Sequence, residues 1–248
     1  GSLLIGTLAA RTLAWLYDKP LIGVNHVLAH AYVNWLHEPQ PVFPTLALIV
    51  SGGHTQLVLF EDHFKYSLLG QTRDDAVGEA FDKVAKMLGF AYPGGPSVAR
   101  AAKDGDVQAY KFPKARMENQ YDFSFSGLKT AVLRTAQSAV GKTFELPSHQ
   151  LPELLSEAQK NDLAASFQYT AVTTLVEALK KACDEYHPTS VVIAGGVAAN
   201  HELRHQLDEQ LPIKPIYTDM KLCTDNAAMI ASLGFFKAIN NLPVADPY

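Results

Sequence analysis

Two apolar runs that each end in a pair of glycines set the tightest limit on how this chain can fold. TLALIVSGG (45–53) and SVVIAGG (190–196) read as buried strands closed by Gly-Gly turns. Where Cβ is missing, backbone N–H groups can approach an anion or a flat ligand closely. One such turn is ordinarily a hairpin or a close-packing device, and two in one chain are more telling. Neither matches the P-loop or the G-x-G-x-x-G fingerprint, which argues against those nucleotide folds.

The segments around these runs alternate. Residues 3–17 predict a helix, with Leu4 and Leu8 on one face, followed by a buried strand at 20–24 and a helix over 26–37. TLALIVSGG, TQLVLFED (55–62) and KYSLLGQT (65–72) predict an antiparallel meander whose first two strands meet in a tight hairpin at Gly52-Gly53. DDAVGEAFDKVAKMLGF (74–90) places Val77, Phe81, Val84 and Leu88 at helical spacing behind an acidic pair. PGGP (93–96) reads as a break before a short helix, and 123–186 as mostly helical with a proline-containing interruption near 141–152. After the second glycine turn come a helix (200–210), a short strand (215–219) and a helix (225–239). The pattern is α/β with a helical insertion, one compact unit of two lobes, with no internal repeat.

At 248 residues, 48% hydrophobic and 19% charged, the chain has the composition of a globular protein with a sizeable core. Its longest apolar runs fall well short of the roughly 20 residues that cross a bilayer, and no signal peptide is visible. Cys183 and Cys223 are too few and too far apart for a disulfide framework, which points to a reducing cytosol. The net charge of −4 argues against a uniformly basic nucleic-acid binder. It conceals a segment from Arg100 to Lys142 with eight basic and four acidic residues, +4 locally and −8 elsewhere. Such a segment suits phosphate contacts or an ordinary mixed-charge surface.

The polar residues that carry chemistry are few. In PLIGVNHVLAH (20–30), His26 and His30 stand one helical turn apart, so both imidazoles can face one cation; they equally suit packing or solvent. The protease pattern H-E-x-x-H is excluded, because Val27 occupies the position of the glutamate base. Asp82, beside Lys83, reads as a surface ion pair or a helix-face charge; Asn200 reads as a helix cap, and Asp225 as a capping or first-turn acid. Phe123 and Phe125 in YDFSFSGLKTAV (121–132) suit burial, or stacking on a base.

NHVLAH, IVSGGHTQL, DDAVGEAFDKVAKMLG, YPGGP, FSFSGLKTA, VIAGGVAAN and CTDNAAMIA occur in an order and spacing that resembles the TsaD family, the tRNA adenosine threonylcarbamoyltransferases, and its bacterial branch in particular. The resemblance implies an actin/Hsp70/sugar-kinase-like fold, two lobes with a nucleotide between them. It implies that residues 1–40 belong to an N-terminal lobe with the metal-binding helix. Residues 41–224 then form the C-terminal lobe, with the insertion at about 95–185, and 225–248 a helix returning toward the first lobe. His26, His30 and Asp225 match the family's metal ligands, for one divalent ion, iron or zinc. Ile49, Val50, Ser51, Gly52 and Gly53 match its donor-binding strand and turn, Asp82 and Gly95 further substrate contacts, and Asn200 the nucleoside contact. The implied reaction transfers the threonylcarbamoyl group from threonylcarbamoyl-adenylate to the exocyclic amine of the adenosine next to a tRNA anticodon. The implied partners are that adenylate, tRNA, and the proteins TsaB and TsaE, in the cytoplasm and with no membrane.

GSLLIG at residues 1–6 resembles the interior of the family's GPGLVGSLLVG segment, so the N-terminal lobe is expected to be incomplete. Ala99 departs from the acidic or polar residue that many relatives carry. An O-carbamoyltransferase of the same fold and a non-catalytic assembly module are the competing readings.

Overall fold

The computed structural model describes residues 2–242. In chain order its elements are α1 (Ser2–Leu16), α2 (His26–Tyr32) with a 3-10 turn at Val33–Leu36, β1 (Thr45–Val50), β2 (Thr55–Asp62), β3 (Lys65–Gln71), α3 (Val77–Leu88), α4 (Gly94–Ala101), α5 (Ser126–Ala139), α6 (Leu151–Leu154), α7 (Glu157–Tyr186), β4 (Ser190–Ala194), α8 (His201–Gln210), β5 (Ile216–Tyr217) and α9 (Ala227–Ile239). The strands form one sheet in the order β3-β2-β1-β4-β5. β1, β2 and β3 pair antiparallel as the meander predicts, while β4 and β5 run parallel to β1.

The two-residue period of a strand divides the core in two. Leu46, Leu48 and Val50 of β1, Leu57 and Leu59 of β2, and Val191 and Ile193 of β4 face α3, α5 and α7. Ala47, Ile49, Val58, Phe60, Val192 and Ala194 face α2 and α9. Helices therefore cover both faces, and β1 and β4 are buried along their whole length. Phe123 and Phe125 are buried in the larger core cluster, so burial is the reading that holds for them.

Two short approaches fix the carboxyl end of β1. Gly195 takes φ +91°, and a Cβ there would stand 2.3 Å from the Val50 carbonyl oxygen. Gly78, in the first turn of α3, would place a Cβ 2.6 Å from the Ser51 oxygen. Val77 N donates to Thr55 Oγ1 at 2.9 Å, tying the start of α3 to β2. The SGGH turn is thus held between the turn after β4 and the N-terminus of α3.

The acidic pair expected at the head of α3 lies just outside the helix and joins α3 to α5. Asp74 accepts hydrogen bonds from Phe125 N, Ser126 N and Ser124 Oγ, at the start of α5. Asp75 accepts from Lys83 of α3 at 2.6 Å and Lys129 of α5 at 2.9 Å. Burial raises the Asp75 carboxyl, and the two ammonium hydrogen bonds outweigh it, holding its pKa below the usual carboxylate value.

Three sequence expectations are corrected here. Residues 20–25 form no strand, Leu21 holding only an isolated bridge. A strand needs a continuous neighbour, and this segment is tied to α9 instead: Gly23 O accepts from Lys237 Nζ at 2.7 Å, and Val24 packs beside Gly234. PGGP does not interrupt the chain ahead of α4 but begins it: Pro93 is the N-cap and Gly94 to Pro96 lie in the first turn. Lys83 pairs with Asp75 and Glu79, and not with Asp82. Of the residues from 225 to 248, 243–248 lie outside the described residues.

Gly195→Ala should destabilise the chain by about 2 kcal/mol or more, because Cβ meets a backbone carbonyl and φ is positive; urea unfolding measures this. Asp75→Asn should cost about 1–3 kcal/mol at neutral pH. The native carboxyl ionises below its unfolded value, so its contribution is present above the unfolded pKa and lost as pH falls through the native one. The Asp75→Asn variant should accordingly lose less stability than the parent on acidification below about pH 4, read by thermal unfolding against pH.

Candidate metal centre and its neighbouring cleft

His26 and His30 sit on α2 because Asn25 caps it: Asn25 Oδ1 accepts from Val27 N at 2.9 Å and Leu28 N at 3.1 Å. His26 is therefore the first helical residue, and His30 lies one turn on. Asp225 precedes α9, whose cap is Asn226 and not Asp225. Capping by the neighbour leaves the Asp225 carboxylate unused by its own helix. The two helices are joined by Ser232 Oγ donating to Tyr32 O at 2.7 Å, and Asn34 of the 3-10 turn donates to Thr218 Oγ1 at 3.0 Å.

This packing brings three side chains from opposite ends of the chain together. His26 Nε2 and His30 Nε2 each lie 3.3 Å from Asp225 Oδ1. One donor atom from each of the three residues lies within 4.8 Å of the others. The imidazole of His30 is 1% exposed, and both its nitrogens lack a hydrogen-bond partner, the approach to Asp225 being close without hydrogen-bond alignment. Burial lowers the His30 pKa; Asp225 opposes this, and His26 and His54 add to it. A buried neutral imidazole with unpartnered nitrogens, a second imidazole and a carboxylate fit a divalent cation, with positions left open for a ligand.

The glycine turn lies beside this cluster. The ring of His54 stands 6.4 Å from that of His26, centroid to centroid, and burial and His26 both lower its pKa. The turn is closed by Ser51 N donating to His54 O at 2.8 Å and His54 N donating to Ser51 Oγ at 3.1 Å. Gly52 and Gly53 are exposed, with open space where a Cβ would stand. Ile49 and Val50 are fully buried strand residues whose side chains face opposite layers, so only their backbone is available to a ligand. His54 is a site residue that sequence reasoning missed, although it stands within the SGGH motif.

The remaining candidates occupy separate places. Asp82 Oδ1 accepts from Gly94 N at 2.7 Å, so its carboxylate holds the start of α4. It lines a cavity of about 310 Å³ with Lys83, Lys86, Phe90, Tyr92 and Gly94. Gly95 follows in the first turn of α4, with open space beside its Cα. Asn200 caps α8 through Leu203 N at 3.0 Å and donates to Gln168 of α7 at 2.9 Å. Its loop reaches the end of β1 through Gly195.

The model of the family described as TsaD, tRNA N6-adenosine threonylcarbamoyltransferase, matches residues 1–232. The chain belongs to the TsaD family. A relative of that name from Thermomicrobium roseum is 47% identical, the match covering 96% of this chain and 69% of the relative. One from Gloeobacter violaceus is 47% identical over 98% and 70%. One from Symbiobacterium thermophilum is 48% identical over 95% and 66%. The chain thus spans about two thirds of the length of these TsaD relatives. Among solved structures, full-length HypF in the phosphate- and nucleotide-bound form superposes with a TM-score of 0.62 at 13% identity, covering 90% of this chain and 36% of HypF. HypF from T. kodakarensis gives 0.65 at 13%, covering 94% and 39%. These likenesses bear on the fold alone, a mixed α/β sheet covered by helices on both faces. No helix among the described residues is long and apolar enough to cross a membrane, and Cys183 and Cys223 are buried free thiols.

Zn(II) should raise the thermal midpoint of this TsaD chain by linkage, by the equivalent of about 2.7 kcal/mol at a hundredfold excess over its dissociation constant. His30→Gln should abolish that rise, which differential scanning calorimetry with and without Zn(II) reads directly.

Proposed function

We propose that this protein transfers the threonylcarbamoyl group of threonylcarbamoyl-adenylate to the exocyclic amine of the adenosine next to a tRNA anticodon. Family membership supports the reaction and the RNA acceptor. The observation that carries the site is the convergence of His26, His30 and Asp225 beside the SGGH turn. A divalent ion, zinc or iron, suits two imidazoles and a carboxylate, and when bound supplies Lewis-acid polarisation and a template for the donor's oxygens.

The chain's own groups supply the rest. His30 stays neutral because it is buried, which keeps its nitrogen lone pair available. The exposed amides of Gly52 and Gly53, with the N-terminus of α3 behind them, face a phosphate with positive dipole ends. The backbone of Ile49, Val50 and Ser51 sets the position of that turn. Asp82 and Gly95 offer an oxygen and an amide to sugar hydroxyls, and Asn200 the nucleoside side of the cleft. As the amine nitrogen bonds to the carbamoyl carbon, the bond from that carbon to the phosphate oxygen breaks. AMP and one proton leave. We place the lobe boundaries at residues 1–40, 41–224 and 225–248, so that α2 and α9 carry the metal ligands to the edge of the nucleotide cleft. TsaB and TsaE are the proposed protein partners, and the cytoplasm the proposed compartment.

Incubating the protein with donor, tRNA, TsaB and TsaE should release AMP and yield threonylcarbamoyl-adenosine by mass spectrometry of digested tRNA. Asp225→Ala should cut turnover by roughly 10²–10³ with little loss of stability, its side chain being 73% exposed. No transfer by the parent, or full activity in Asp225→Ala, would refute the reading.

A further inference from the structure

The geometry points to an RNA-backbone contact on the helical insertion, in the depression between α5, the start of α7 and the extended segment 105–122. The inference deepens the proposed function, resting on its tRNA acceptor, and assigns where part of that acceptor lies.

The depression is about 550 Å³ and is lined by Tyr110, Arg134, Thr135, Ser138, Ala139 and Gln159. Arg134 is the only charged residue in that lining. Its Nη1 donates to Gln137 Oε1 and to the Phe144 carbonyl, leaving Nε and Nη2 without a partner among the described residues. The guanidinium also lies 5.7 Å from the centroid of the Phe144 ring, which is 70% exposed. An exposed phenyl ring beside a half-free guanidinium presents a stacking surface and a phosphate fork together, the pairing that single-stranded RNA selects. Tyr110, also in the lining, stacks on Phe112 with ring centroids 6.3 Å apart.

The surrounding charge favours the same ligand. Of the basic residues between 100 and 142, Lys114 pairs with Glu177 and Lys129 with Asp75. Arg100, Lys103, Lys111, Arg116 and Lys142 are exposed and make no ion pair among the described residues. Of the nearby carboxylates, Asp162 accepts from Asp106 N and Glu157 pairs with Lys160, while Asp104 and Glu145 are exposed and make no ion pair among the described residues. Unpaired cations on the same stretch of chain as a concave, hydroxyl-lined surface match a polyanion.

Position along α7 fits as well. Gln168 bonds to Asn200 in the nucleotide cleft, and Gln159 lies nine residues earlier on the same helix, about 13 Å along its axis. A single-stranded RNA segment that enters the cleft spans that distance.

The test is fluorescence anisotropy of labelled substrate tRNA with the full chain across about 50–200 mM salt, beside calorimetry with an AMP analogue. Arg134→Gln should weaken tRNA binding about 5–10-fold and lower the salt slope by about 0.9. Ser138→Glu, at an exposed position with no side-chain hydrogen bond among the described residues, should weaken tRNA at least as much. Both should leave AMP-analogue affinity unchanged. Parental tRNA affinity in both variants overturns the inference, as does AMP-analogue affinity falling in step with that for tRNA. Loss of TsaB or TsaE binding with tRNA affinity intact overturns it in favour of a protein-docking surface. A parent chain that binds no tRNA overturns the acceptor reading of the proposed function itself, and this surface with it.

Discussion

Everything at the candidate site depends on the crowding around the last peptide units of β1. The Val50 carbonyl is approached by Gly195, and Ser51 by Gly78, at separations that no side chain tolerates. Two glycines from elements far apart in sequence therefore bracket one turn, and a third contact, Val77 N to Thr55 Oγ1, holds its far strand. Close backbone approach holds the turn in place and leaves Gly52 and Gly53 exposed, with open space beside them. A turn supported by flexible side chains would hold an anion less well, because the donors would have to be ordered at the moment of binding.

The metal-binding candidates depend on a different layer. α2 and α9 lie on the opposite sheet face from α3 and α7, held by Ala47, Ile49, Val58 and Phe60 and by the hydrogen bond from Ser232 to the Tyr32 carbonyl. That layer sets one buried imidazole, one half-exposed imidazole and one exposed carboxylate at a common point. Burial keeps His30 neutral, and exposure leaves Asp225 open to solvent and ligand. The site therefore joins two cores that share a sheet, and the sheet's two-residue period decides which side chains support which half.

Much of this was legible in the residues. The 3.6-residue apolar spacing of α3 and the unbroken apolar runs of β1 and β4 are local signals, and they appear as expected. The failures share one cause, which is that the deciding partner is distant in sequence. LIGV at 21–24 has strand composition, yet it lies against α9 and gains no continuous ladder. Asp82 stands beside Lys83 in sequence, but the helix turns them toward different neighbours, Gly94 for one and Asp75 for the other. His54 reads as part of a glycine motif, and only the placement of α2 shows that its ring approaches His26.

What the sequence by itself determined is the set of elements, the glycine turns and the i, i+4 histidine pair, because periodicity, missing Cβ atoms and helix spacing are properties of adjacent residues. Motif order further carried the family. What only the tertiary structure decided is how near Asp225 comes to those histidines, which carbonyls the glycines make room for, and which lysines between 100 and 142 remain unneutralised. Those outcomes depend on packing between segments as many as 199 residues apart, His26 and Asp225 among them, and no local pattern encodes a contact whose other half lies on another layer.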